Sequence, residues 1–285
     1  GFSKHKGGNM HRFGANMNTN KKSKSALQKC MRMSAVKIIP CLDFKEGRVV
    51  KGKRFQNLVD SGDPLERALI YEKQGADELA FLDISATIEG RKTMAQEVAR
   101  IHQAISIPLT VGGGIASIED AARLFEAGAD YVSINSVAVK KPAIIDEMAS
   151  IFGTECIVVA IDAAHNASMP SGYEVKIDGG SKSMGIDVSE WAQEAAERGA
   201  GQILLTSIDR DGTCLGYDCR LIEIVARIVS VPIIASGGAS MLEHFLEGYL
   251  SGASALLAAG IFHRGEVSIR EIKEFLKAHD VEVRL

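Results

Sequence analysis

Short apolar runs without polar alternation recur along this chain, and segments with helical spacing lie between them. The runs are Val36 to Leu42, Leu79 to Leu82, Pro108 to Val111, Tyr131 to Ile134, Cys156 to Ile161, Gln202 to Leu205, Pro232 to Ala235 and Ala255 to Ala258. Runs of this length, rich in Val, Ile and Leu, mark strands buried on both faces, as in a parallel sheet covered by helices. The intervening segments carry helix boundary signals. In SIEDAARLFEAGA, Ser117 is placed to cap the N-terminus, Asp120 follows three residues on, and Gly128 stops the helix. Eight such strands alternating with helices over about 250 residues predict one α/β domain, a closed (β/α)8 barrel. A doubly wound sheet is the alternative, but it usually carries a glycine fingerprint after its first strand, where this chain has Asp43-Phe44-Lys45.

The pattern is also duplicated. IPLTVGGGI at Ile107 to Ile115 aligns without a gap on VPIIASGGA at Val231 to Ala239, an offset of 124, and the register runs on to Ala127–Asp130 against Ser251–Ser254. Backwards, GADELAFLDIS from Gly75 falls on GAGQILLTSID from Gly199. KIIPCLDF around Asp43 resembles IVVAIDA around Asp162 at an offset of 119, the difference fitting one unequal loop. The domain at 36–285 therefore reads as two half-barrels, about 36–153 and 154–285. A doubly wound sheet requires no such repeat.

Composition sharpens this in few places. With 46% apolar and 24% charged residues and no apolar run near the eighteen or so that a span requires, the chain reads as soluble, with no membrane contact. The net charge of −3 conceals an asymmetry: residues 1–35 hold eight Lys/Arg and no acid, which leaves 25 basic against 36 acidic residues, or −11, for the remainder. That leader is rich in Gly, Asn, Ser and Lys without apolar periodicity, so it is expected to be disordered, as an extension rather than an organelle signal or a nucleic-acid-binding arm. Of the five cysteines, Cys41 and Cys156 fall in predicted strands, and no pairing or metal spacing appears. The seven histidines show no ligand spacing either, so neither metal nor cofactor is expected. A reduced, cytoplasmic setting follows.

In a barrel of this kind the chemistry belongs at the C-terminal ends of the strands. Gly112-Gly113-Gly114 follows the third strand and Gly237-Gly238 the seventh, each opening a helix where backbone N–H groups can hold a phosphate. Beside them end the fourth and eighth strands, at Asn135-Ser136 and Ala259-Gly260, and Gly212 of the Asp209–Thr213 loop adds to the second group. Two phosphate cradles across one mouth imply a long substrate with a phosphate at each end. Asp43 and Asp162 occupy equivalent ends of the first and fifth strands. A lone Asp after a strand is more often a turn or cap residue, yet duplication beside two cradles points to general acid and base. Asp83, Asp209, Asp211, Thr206, Ser207 and Ser236 stand on neighbouring ends, and Lys51 of GRVVKGKRF is placed to neutralise charge or close a loop, unless it is a solvated loop lysine.

These residues carry a resemblance. CLDFKEGRVVKG at Cys41 to Gly52, TVGGGI at Thr110 to Ile115, VSIN at Val132 to Asn135, VVAIDA at Val158 to Ala163, ILLTSIDRDGT at Ile203 to Thr213 and IIASGGA at Ile233 to Ala239 resemble the cyclase subunits of imidazole glycerol phosphate synthase. The resemblance covers about residues 36–285. The sister isomerase of histidine biosynthesis shares the repeat and both carboxylate positions, but CLD with GRVVKG and the SIDRDGT block are typical of the cyclase.

The resemblance implies a lyase that joins ammonia to a bis-phosphorylated phosphoribulosylformimino-aminoimidazole carboxamide ribonucleotide, giving imidazole glycerol phosphate and aminoimidazole carboxamide ribonucleotide. It implies one phosphate on Gly114, Asn135 and Ser136, the other on Gly212, Gly238, Ala259 and Gly260, with Asp43 and Asp162 as the acid–base pair. Lys51, Asp83, Thr206, Asp211 and Ser236 would complete the substrate site. It also implies a separate glutaminase partner, in a heterodimer, that delivers ammonia through the N-terminal face of the barrel. There the family usually places an Arg, a Glu, a Lys and a Glu, and this chain has Lys37, Glu78, Tyr131 and Gln202, so the usual salt-bridge ring cannot form. An amidating paralogue with another acceptor, and a non-catalytic scaffold for a glutaminase, are the alternatives; retention of Asp43, Lys51, Asp162 and both cradles opposes them.

Overall fold

The computed structural model describes residues 35–285 apart from 46–47, 54–55 and 85–87, with side chains outside 46–48, 50–61 and 85–93. All but the last residue of the basic leader at 1–35, and the side chain of Lys51, thus lie outside the described residues.

Eight parallel strands close on themselves. In chain order the strands are β1 (Lys37–Lys45), β2 (Arg48–Lys53), β3 (Gln56–Gly62), β4 (Leu79–Asp83), β5 (Leu109–Gly112), β6 (Tyr131–Ile134), β7 (Ile157–His165), β8 (Tyr173–Ile177), β9 (Lys182–Asp187), β10 (Gln202–Ser207), β11 (Ile233–Ser236) and β12 (Ala255–Ala258). The ring runs β10-β11-β12-β1-β4-β5-β6-β7 and is sealed by β7 against β10, where Asp162 faces Thr206. Helices between consecutive ring strands cover the outside, so the expected (β/α)8 barrel is the observed one. The unbroken apolar runs follow from that arrangement, since each ring strand is covered on one face by helices and on the other by the barrel interior.

The helix over Ile118–Ala127 ends as its sequence dictates: the Ser117 side chain accepts from the Asp120 N–H (3.2 Å), and Gly128 closes it at φ 111°. Cys156 departs from the sequence reading. It ends a 3₁₀ turn, Thr154–Cys156, and the strand begins one residue later; only Cys41 of the two is buried.

Two antiparallel hairpins were not foreseen. β2–β3 extends β1 and β8–β9 extends β7, so each half-barrel carries one directly after its first strand. The signal lies in the alternation of YEVKI and the Asp178-Gly179-Gly180 turn, a pattern distinct from the unbroken apolar runs that mark the ring strands.

Alternation along the ring strands sorts side chains into two sets. Ile39, Cys41, Ala80, Val158, Leu204, Ile234, Ala255 and Leu257 form a small cluster with Leu82, Tyr131, Ala160 and Ala259 packed on it, filling the barrel. The larger cluster, including Ile38, Leu42, Phe81, Trp191, Leu205 and Phe245, lies between strands and helices. At the other end of the chain, Lys273 is buried with Asp77 at 2.8 Å, both nearly without exposure (3% and 4%). Asp77 also accepts from the Ile38 N–H, and Lys273 donates to the Arg284 carbonyl, so one ion pair fastens the last helix to the first strand.

Candidate functional site

Two residues above Cys41 on the same face of β1 comes Asp43, paired in register with Leu82; two above Ala160 on β7 comes Asp162, paired with Thr206, which in turn pairs with Ser236. Period-two alternation therefore carries Asp43, Asp162, Thr206 and Ser236 to the C-terminal rim on the inward set. Asp83, by the same alternation, belongs with outward Phe81 and is buried. Both carboxylates stand where a ring strand leaves the barrel and starts a hairpin: Asp43 opposite Val50, Asp162 opposite Lys176.

The carboxylates differ in their partners. Asp162 Oδ2 accepts from Asn135 Nδ2 at 3.0 Å, and Asn135 Oδ1 is left buried without a protein partner. Asp43 Oδ1 has the Cys41 thiol at 3.8 Å, a weaker donor. Burial, reinforced by the charge of Asp211, pushes the Asp43 carboxyl up to about 7. Burial also raises Asp162, to about 6, with the Asn135 amide holding it down and Asp211 adding to the rise. In the repeat Ala259 replaces Asn135 and Ala160 replaces Cys41. Equivalent backbone positions thus hold two buried acids with different partners, both raised toward the range where general acid–base catalysis operates near neutrality.

The glycine turns are built by close backbone approach. Gly113, at φ 95°, would put a Cβ 2.0 Å from the Asp83 carbonyl oxygen, and Gly238, at φ 98°, would put one 2.3 Å from that of Gly216. Gly216 N–H donates to the Gly238 carbonyl at 2.9 Å, so the Asp211–Gly216 loop is pinned to the second glycine pair. Ser207 Oγ and Tyr173 OH both donate to Asp218, which also caps the Cys219–Ile228 helix, joining the β8–β9 hairpin to that loop. Asp218 and Tyr173 were not among the sequence candidates, because their role lies in contacts across 45 residues. In the first half, Ser136 Oγ accepts from the Asp178 N–H at 3.0 Å, and Lys140 pairs with Asp178 at 3.1 Å.

At the opposite rim, where the strands begin, Lys37 pairs with the fully buried Glu78 at 3.1 Å, and Thr110 Oγ1 donates to the other Glu78 oxygen at 2.5 Å. The Lys37 ammonium lies 5.7 Å from the centre of the Tyr131 ring, and Gln202 is buried. One ion pair with an aromatic neighbour stands here; a ring of four charges does not. Thr110 was not singled out from the sequence, and it takes up the second oxygen of the Glu78 carboxylate.

Comparison with known proteins adds a family. A family model described as "Histidine biosynthesis protein" matches residues 37–268. Curated relatives include a protein of Wolinella succinogenes, 54% identical over 255 residues (90% of this chain, all of the relative), and one of Bacillus pumilus, 54% identical over 253 residues (88% and all). One of Corynebacterium urealyticum is 53% identical over 250 residues (88% and 98%). Each is named "Imidazole glycerol phosphate synthase subunit HisF".

Proposed function

Since the chain belongs to the histidine biosynthesis protein family, and within it to the HisF cyclase subunits of imidazole glycerol phosphate synthase, we propose a division of labour between its two rim carboxylates. The activity is that of a lyase. Burial raises the carboxyls of Asp43, to about 7, and of Asp162, to about 6 beside the Asn135 amide, so each can give or take a proton near neutrality, and the two share the acid and base steps. Ammonia adds to the ribulosyl carbonyl and water leaves as one carboxyl supplies the proton. The second takes up and returns a proton as the ring closes and the aminoimidazole nitrogen departs.

The two phosphates rest, on this reading, at Gly114, Asn135 and Ser136 and at Gly212, Gly238, Ala259 and Gly260, with Thr206, Asp211, Ser236 and Lys51 around the body of the substrate. The observation that carries the reading is the pair of inward carboxylates in equivalent register, on a barrel that also carries a glycine turn admitting no Cβ after β5 and another after β11. A separate glutaminase subunit supplies ammonia at the rim of Lys37, Glu78, Tyr131 and Gln202; the word "subunit" in the relatives' names supports a complex. The cytoplasm, where free thiols such as Cys41 and Cys219 stay reduced, is the proposed location. No helix among the described residues is long and apolar enough to cross a membrane.

The test is turnover of the purified chain alone, with the bis-phosphorylated ribulosyl substrate and excess ammonium at alkaline pH, followed by loss of substrate absorbance. Turnover that disappears in Asp43→Asn and in Asp162→Asn, both still folded, is expected. Near-normal turnover in either variant removes that residue from the mechanism.

A further inference from the structure

The repeat aligns Asn135-Ser136 with Ala259-Gly260 and Lys140 with Arg264. The first cradle therefore has a hydroxyl that the second lacks. What fills the corresponding space in the second half is a cation: a Cβ built on Gly260 would lie 2.7 Å from Arg264 Nη1. The guanidinium thus covers the ground that a serine side chain would occupy. Arg264 is fixed there by its N–H bond to the Gly260 carbonyl (3.1 Å) and by Nε on Glu266 (2.6 Å), and it approaches the thiol of Cys214, two residues beyond Gly212. Its counterpart Lys140 is turned instead to Asp178 at the tip of the β8–β9 hairpin. The side chain of Arg264 remains 35% exposed, so a ligand arriving from the mouth can reach it.

We infer that Arg264 binds the substrate phosphate seated on Ala259 and Gly260, replacing the hydroxyl that Ser136 offers in the other cradle; the inference rests on the two-cradle reading above. A planar guanidinium presents its N–H groups to phosphate oxygens in pairs, and it supplies charge where a serine supplies one weaker donor. The absence of a side chain at Gly260 then has a reason, since a side chain there would displace the guanidinium. The competing account is a surface ion pair between Arg264 and Glu266, which by itself contributes little.

The two accounts separate in steady-state kinetics of the full chain with the bis-phosphorylated substrate and saturating ammonium, with inorganic phosphate as a competing ligand. Arg264→Ala is expected to raise KM roughly ten- to hundredfold with kcat unchanged, the loss of a charge-assisted bond, and to weaken inhibition by inorganic phosphate. Gly260→Ser combined with Arg264→Ala should recover part of the loss by restoring the hydroxyl, and Arg264→Lys should retain part of it. Glu266→Gln should leave KM unchanged. A wild-type KM in Arg264→Ala, or a Glu266→Gln variant that reproduces its defect, overturns the assignment and leaves the cyclase reading intact. An inactive wild type removes the two-cradle reading and the assignment with it.

Discussion

Replacing Asp43 by asparagine should abolish turnover and at the same time stabilise the barrel, by an amount that grows with pH. The carboxyl is raised from 3.8 to about 7 by burial and by Asp211. A group whose folded-state pKa lies above its unfolded value leaves stability intact below the unfolded pKa, and that stability is lost as pH rises through the folded one. Wild-type stability should accordingly fall between about pH 4 and pH 7 and then level off. At 1.36 kcal/mol per unit, the full penalty is about 4 kcal/mol, an upper bound because Asp43 keeps some surface at the mouth. Between pH 5 and pH 8 the same arithmetic gives about 2.5 kcal/mol. Asparagine is nearly isosteric and carries no charge, so the difference in stability between variant and wild type should widen by that amount. For a domain of this size the widening corresponds to roughly 5 to 10 °C in melting temperature. Thermal unfolding of both proteins at the two pH values is the assay; titrations elsewhere cancel in the difference. A gap that stays constant, or narrows, from pH 5 to pH 8 would refute the claim that Asp43 is held protonated by its surroundings.

Other expectations follow from single contacts. Asn135→Ala removes the amide that lowers Asp162, so the acidic limb of the kcat/KM profile should move to higher pH, while a limb that stays in place would detach Asn135 from that carboxylate. Gly113→Ala has to adopt φ 95° with its Cβ 2.0 Å from a backbone oxygen, so either substrate binding or soluble expression should be lost; a variant with wild-type KM would show that the turn relaxes. Lys273→Met strands Asp77 in the core and should destabilise by about 3–5 kcal/mol in urea unfolding, with a much smaller cost expected if Asp77 is replaced by Leu at the same time.

The sequence made the ring legible because parallel strands buried on both faces need no alternation: four runs in each half gave all eight ring strands, β6 and β12 to the residue. It also made the rim legible, since a repeat that returns Asp43 as Asp162 fixes equivalent positions in the fold. The β8–β9 hairpin escaped because YEVKI alternates apolar with charged residues, a different period from the one that found the barrel, and β2 and β3 hold too few apolar residues to form an unbroken run. Partners escaped for another reason. That Asn135 donates to Asp162, that Arg264 covers Gly260 and that Asp218 gathers Tyr173 and Ser207 depends on rotamers and on contacts between distant segments, to which local spacing is blind. The Lys37, Glu78, Tyr131 and Gln202 substitutions could be read as a lost charge ring, but that Thr110 would serve Glu78 could not.

The Asp77–Lys273 pair bears on how the chain is made. Asp77 receives its buried cation from a residue 196 positions later in the chain. Until the final helix leaves the ribosome, the loop that holds the Ile38 amide carries an uncompensated carboxylate, and β1 lacks β12 along one edge. The barrel's β1 strand is thus secured only after the strands that follow it have been made. The growing chain must carry an open sheet edge from the making of β1 until that of β12, and chaperone contact is to be looked for during that interval.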